Sequence, residues 1–131
     1  MARRKSRTLT ELELEIMQVI WRDGEIKVEA LRQALEDAGT PLALPSVRTM
    51  LSILQNKGYV RRRRVARGYA YREAVPAEQA EKNILKDVVD RVFDGSASNL
   101  IAALVSQGMI DKDELAEARK IIARKKREEK K

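Results

Sequence analysis

Cysteine and histidine are both missing from the 131 residues. Their absence excludes disulfides, thiolate nucleophiles and imidazole general bases, and removes nearly every zinc or copper ligand set. An enzyme built from what remains would need carboxylates or lysine, yet the Asp and Glu residues fall at helix caps and on exposed faces rather than as a convergent pair. No catalytic residue, metal ligand or cofactor is therefore expected. Aromatic residues make up only 4%, which argues against a β-sandwich, whose strands favour aromatic and β-branched side chains. No apolar run approaches the ~20 residues of a membrane span. The basic start MARRKSR runs into TELELEIM rather than an apolar signal core, so a soluble, cytoplasmic protein with no membrane partner is expected.

What is present is aliphatic and charged: 44% hydrophobic residues, enough for a core, and 36% charged residues with a net charge of +7. The charge is unevenly spread. Residues 1–75 hold 15 basic and 9 acidic side chains, and residues 76–131 hold 12 and 11. A polyanionic partner is expected on the N-terminal half.

The chain reads as helices. Thr10 with Glu13 makes a capping box and Leu9 with Leu14 a hydrophobic staple, opening a helix over residues 10–23 whose core stripe is Leu12, Ile16, Val19 and Ile20. A second helix is expected over Val28–Asp37, burying Val28, Leu31 and Leu35. A third begins with Pro45 at its first position and buries Val47, Met50, Leu51 and Leu54, with Gly58 at its end. At 100° per residue, Pro45, Thr49, Ser52, Ile53 and Asn56 face away from that stripe, with Ser46 and Arg48 on its flanks. That outer face is small, polar and nearly free of acid.

The stretch YVRRRRVARGYAY, Tyr59–Tyr71, reads as a β-hairpin with strands Tyr59–Val65 and Tyr69–Glu73. A three-residue loop, Ala66–Gly68, is expected, with Val65 facing Tyr69, Arg63 facing Tyr71 and Arg62 facing Arg72. Alternation puts arginine on both faces, so little of this ribbon can be buried. Three helices followed by an arginine-rich hairpin describe a winged helix-turn-helix: the third helix enters a major groove while the hairpin grips phosphates. Trp21 and the tyrosines are expected in packing roles rather than as base-stacking platforms. The ARRKSR arm and the KKREEKK tail are expected to be solvated.

From Pro76 the character changes. Helices are expected over about Ala77–Phe93, from near Ser96, and from an Asp111–Glu114 capping box through Ile121 and Ile122 into a tail that frays. Fewer than ~70 residues make a weak monomeric core. Leu85, Val88, Val92, Phe93, Leu100, Ile101, Leu104, Leu115, Ile121 and Ile122 are therefore expected to pack against a second copy. The fold class is mostly α: a winged helix-turn-helix over residues 1–75, then a three-helix dimerisation domain over residues 76–131 ending in a basic tail.

The motifs LTELELEIMQVIW, SVRTMLSILQNKGYV, RGYAY and FDGSASNLIAALV with IDKDELAEARKII resemble the penicillinase and methicillin-resistance repressor family, which includes copper-transport repressors. The resemblance spans roughly residues 8–123. It implies a homodimeric, sequence-specific repressor of transcription that occupies a palindromic operator in double-stranded DNA. It places Ser46, Arg48 and Thr49 on the recognition helix and Arg62, Arg64 and Arg67 on the wing; Ser52 and Ile53 join the reading face by their helical position. Ile53 stands where members often carry arginine, which suits contact with a thymine methyl group. The resemblance implies a protease or other inducing factor as a partner; the β-lactam-responsive members are inactivated by a protease at an Asn-Phe bond, from which this chain departs with Ala103-Leu104. The cysteine cluster of the copper-responsive members has no counterpart. The competing reading is an architectural DNA- or RNA-binding protein without sequence preference.

Overall fold

The computed structural model describes residues 8–130; the ARRKSR arm and Lys131 lie outside them. Helix α1 (Glu11–Asp23) starts at the expected capping box. The Thr10 amide donates to Glu13 Oε1 at 2.7 Å, and the Glu13 amide donates to Thr10 Oγ1 at 3.2 Å. Two backbone donors that the helix cannot satisfy are thereby paired. Its buried residues are Glu13, Ile16, Met17, Val19 and Ile20, while Leu12 is only half-buried. The stripe is thus centred on positions 13, 16, 17 and 20, and a carboxylate occupying one core position masked it in the sequence.

Strand β1 (Ile26–Lys27) was not expected, being two residues without a pattern. Helix α2 (Val28–Asp37) has the expected bounds and buries the three expected residues. Helix α3 (Leu44–Asn56) starts one residue earlier than expected, with Ala43 at its N-cap, so Pro45 takes the second helical position. An amide there has no intrahelical partner either, so the ring costs nothing. Val47, Leu51 and Leu54 are fully buried and Met50 half-buried.

Strands β2 (Val60–Val65) and β3 (Gly68–Glu73) form the hairpin, and β1 adds to it in the antiparallel order β1-β3-β2. The register differs from expectation by one residue: Val65 pairs with Gly68, Arg64 with Tyr69, Arg62 with Tyr71 and Arg61 with Arg72. The loop is Ala66–Arg67 alone. Gly68, at φ +115°, takes the backbone conformation that L residues rarely adopt, so it serves as the first ladder residue rather than the last loop residue. The slip matters because it re-sorts every side chain between the two faces.

The chain forms two compact units, the first ending at Asp87 and the second beginning at Val88. Helix α4 (Ala77–Val92) begins in the first, where Ala80 joins a core built from α1, α2, α3 and the sheet; the sequence placed the division earlier, at Pro76. Trp21 Nε1 donates to the Val75 carbonyl at 2.9 Å, tying the end of α1 to the chain entering α4. In the second unit, Ser96 caps α5 (Ala97–Ser106) and an Asp111–Glu114 capping box opens α6 (Lys112–Glu129). Helix α6 runs on through the basic tail to Glu129. Arg, Lys, Ala and Glu are strong helix formers, and the cations of its last turn complement the helix dipole.

Candidate nucleic-acid interface

Helix α3 divides cleanly into two faces. Its inner residues Val47, Leu51 and Leu54 have no solvent exposure, whereas Ser46, Arg48, Thr49, Ser52 and Ile53 are exposed. Thr49 Oγ1 donates to the Pro45 carbonyl at 3.1 Å. Its only hydroxyl proton is therefore used, leaving it a methyl group and acceptor lone pairs toward a partner.

The hairpin meets this helix across a cleft of about 320 Å³ lined by Val28, Glu29, Arg48, Ser52, Arg62, Arg67, Gly68, Tyr69 and Tyr71. Of the expected contact residues, Arg48, Ser52, Arg62 and Arg67 come together there. Ser46, Thr49, Ile53 and Arg64 are exposed but do not line it. Glu29, Tyr69 and Tyr71 were not singled out as site residues. For the tyrosines the missing signal was the register: directly opposed residues share a face, so Arg62, Arg64, Tyr69 and Tyr71 belong together.

The four consecutive arginines have distinct surroundings. The Arg62 guanidinium lies 4.0 Å from the centre of the diagonally placed Tyr69 ring, a cation–π contact that stiffens the side chain. Arg63, on the opposite face, bonds Glu25 Oε1 through Nε at 2.6 Å, so its charge is partly compensated within the chain. Arg61 lies directly across from Arg72, and both are exposed. Like charges so placed repel, and an anion between or beside them removes the repulsion.

A buried ion pair fixes the far end of α3. Lys57 Nζ donates to Glu13 Oε1 at 2.8 Å and to the Thr8 carbonyl at 3.0 Å, and the Glu13 side chain is only 2% exposed. Burial alone would push the Glu13 carboxyl up. The hydrogen bonds from Lys57 and Thr10 and the Lys57 charge outweigh it and hold the carboxyl below its ordinary value. The start of α1 and the end of α3 are locked together, so the outer face of α3 is carried on a fixed support.

Among the described residues no group of three or more acidic side chains is placed to hold a metal ion, and no helix is long and apolar enough to cross a membrane. None of the ten residues expected at a dimer contact is buried. Leu85, Val92, Ile101, Ile121 and Ile122 are more than half exposed, and Val88, Phe93, Leu100, Leu104 and Leu115 are intermediate.

Comparison with known proteins agrees with this geometry. The family model described as penicillinase repressor matches residues 9–124. The methicillin resistance regulatory protein MecI of Mammaliicoccus sciuri and that of Staphylococcus aureus (strain N315) are each 21% identical over 121 residues, covering 92% of this chain and 98% of theirs. Among solved structures, the complex structure of hsRosR-S4 superposes with a TM-score of 0.52 at 20% identity, covering 89% of each chain. That of hsRosR-SG gives 0.53 at 18% identity, covering 93% of this chain and 96% of the other. These likenesses show a shared fold, the winged helix. Carrying that fold and matched by the family model over most of its length, the chain belongs to the penicillinase repressor family and is a DNA-binding transcriptional repressor.

Proposed function

We propose that the protein represses as a homodimer on a palindromic operator, each copy placing α3 in a major groove and its wing along the adjacent phosphates. The observation that carries this reading is the cleft in which Arg48 and Ser52 of α3 face Arg62 and Arg67 of the hairpin. Guanidinium forks in several directions suit phosphate oxygens, and Arg48 suits the paired acceptors of a guanine edge. Ser46, Thr49 and Ile53 extend the reading face along the exposed side of α3, and Arg64 extends the phosphate contacts along β2. The aliphatic side chains that α4, α5 and α6 leave in solvent support a second copy as their partner, because so much apolar surface is costly to hydrate. Two copies related by a two-fold axis would meet half-sites one helical turn, or a multiple of it, apart. Release is assigned to an inducing factor acting on the helical unit. A protease cutting at Ala103-Leu104 would first have to open α5, which contains that bond.

Selection of bound duplexes from a randomised double-stranded pool at physiological salt tests the reading. The expected result is an enriched inverted repeat. Retention without enrichment would replace it with an architectural role in which the arginines bind backbone alone, and a preference for RNA would replace both.

A further inference from the structure

The cleft that carries the DNA reading also contains a carboxylate. Glu29 is the one acidic residue lining it, alongside Arg48, Arg62 and Arg67. It is exposed, and among the described residues it makes no ion pair or side-chain hydrogen bond with any of those arginines. It stands at the second position of α2, with Lys27 at the N-cap. An acidic residue in a first turn favours the helix dipole, which would account for a carboxylate anywhere in that turn. It does not account for one on the side where a polyanion is to dock, because there every docked phosphate repels it.

We propose that Glu29 is a specificity-determining residue of this repressor. Its carboxylate penalises any docking that leaves it facing phosphate and is satisfied only where the groove presents an amine, the N4 group of cytosine being the natural donor. This inference rests on the DNA reading of the cleft. Arg48 and Glu29 then form a complementary pair of readers. The guanidinium offers donors only and selects acceptor edges, while the carboxylate offers acceptors only and selects donor edges. The cost of Glu29 falls mainly on mismatched duplexes, which leave its charge desolvated against phosphate with nothing to accept from.

Glu29→Gln tests this by removing the charge at nearly constant shape. Competition binding would compare the duplex enriched by selection with a scrambled duplex of the same length and composition. Wild type, Glu29→Gln, Arg48→Ala, Arg62→Ala and Glu11→Gln would be measured, the last losing a charge from the first turn of α1, outside the cleft. The expected result for Glu29→Gln is tighter binding to the scrambled duplex with no gain on the enriched one. Their affinity ratio should fall about fivefold, the low end for one base-edge contact. A repeated selection should lose its preference at one base position, and Glu11→Gln should leave the ratio unchanged. If Arg48→Ala and Arg62→Ala weaken binding while Glu29→Gln moves both duplexes equally, or neither, the assignment to Glu29 is overturned and the cleft reading stands. A change in melting temperature without a change in the ratio would likewise reduce Glu29 to a helix-terminus charge and overturn the assignment. If none of the cleft variants affects binding to any duplex, the cleft reading fails and this inference falls with it.

Discussion

Replacing Lys57 with methionine would leave the Glu13 carboxylate almost fully buried beside a thioether. It would keep only its hydrogen bonding with Thr10, having lost the 2.8 Å bond that Lys57 supplies. Removing one member of a buried ion pair costs about 3 kcal/mol, the lower end of what such truncations show, since the Thr10 contact survives. Against the roughly 5–15 kcal/mol that holds a domain folded, this is a large share. In a unit of this size it corresponds to a fall in Tm of roughly 12–24 °C. The pH dependence supplies an independent check. Because Glu13 titrates below its ordinary value of 4.5 in the folded chain, the stability it contributes is fully present above that value and is lost as pH falls through the lowered one. The gap between wild type and Lys57→Met should therefore be widest near neutrality and narrow as the pH falls, first as the unpaired Glu13 carboxyl of the variant, which burial pushes up, takes a proton, and then as wild type loses its share below 4.5. Thermal unfolding followed by far-UV circular dichroism across that range measures both. The double variant Glu13→Gln with Lys57→Met should recover part of the loss, because no charge is then buried alone and glutamine still closes the capping box. A Tm for Lys57→Met within about 2 °C of wild type at neutral pH, or a gap that does not change with pH, would refute the reasoning.

Three further outcomes are expected. Arg62→Ala and Arg64→Ala should each weaken binding to every duplex and lower the slope of log affinity against log salt by about one unit, measured by fluorescence anisotropy at several salt concentrations. Gly68→Ala should destabilise the first unit by about 1–2 kcal/mol in urea unfolding; an added methyl meets no atom within 4 Å, so the cost is the positive φ alone. Ile121→Glu with Ile122→Glu should shift sedimentation from dimer to monomer at micromolar concentration and weaken binding to an inverted repeat far more than to a single half-site.

Much of the first unit could be read from sequence because its signals are local. A capping box fixes a helix start through residues three apart, and the buried stripes of α2 and α3 recur at helical spacing. What sequence missed depends on contacts between distant residues. Glu13 counts as polar in any pattern, and only the packing of α1 against the end of α3 shows that it is a core residue with Lys57 as its partner. The hairpin register turned on whether Gly68 closes the loop or opens the strand, a choice decided by backbone conformation rather than residue type. With it went the pairing of Arg62 with Tyr69 and the separation of Arg63, which bonds Glu25, from its neighbours. β1 was invisible because two residues carry no periodicity, and Glu29 was overlooked because α2 was read only for its buried face.

The division of α3 into an inner face without solvent exposure and an outer face held by one hydroxyl–carbonyl bond bears on how such a protein can change its target. Ser46, Thr49 and Ser52 are exposed and lie outside the buried core, so substitutions there can accumulate while the scaffold persists. A lineage could drift from one set of promoters to another by rewriting these few codons. A designer could draw a combinatorial library across the same positions and screen for new half-sites without first stabilising the host.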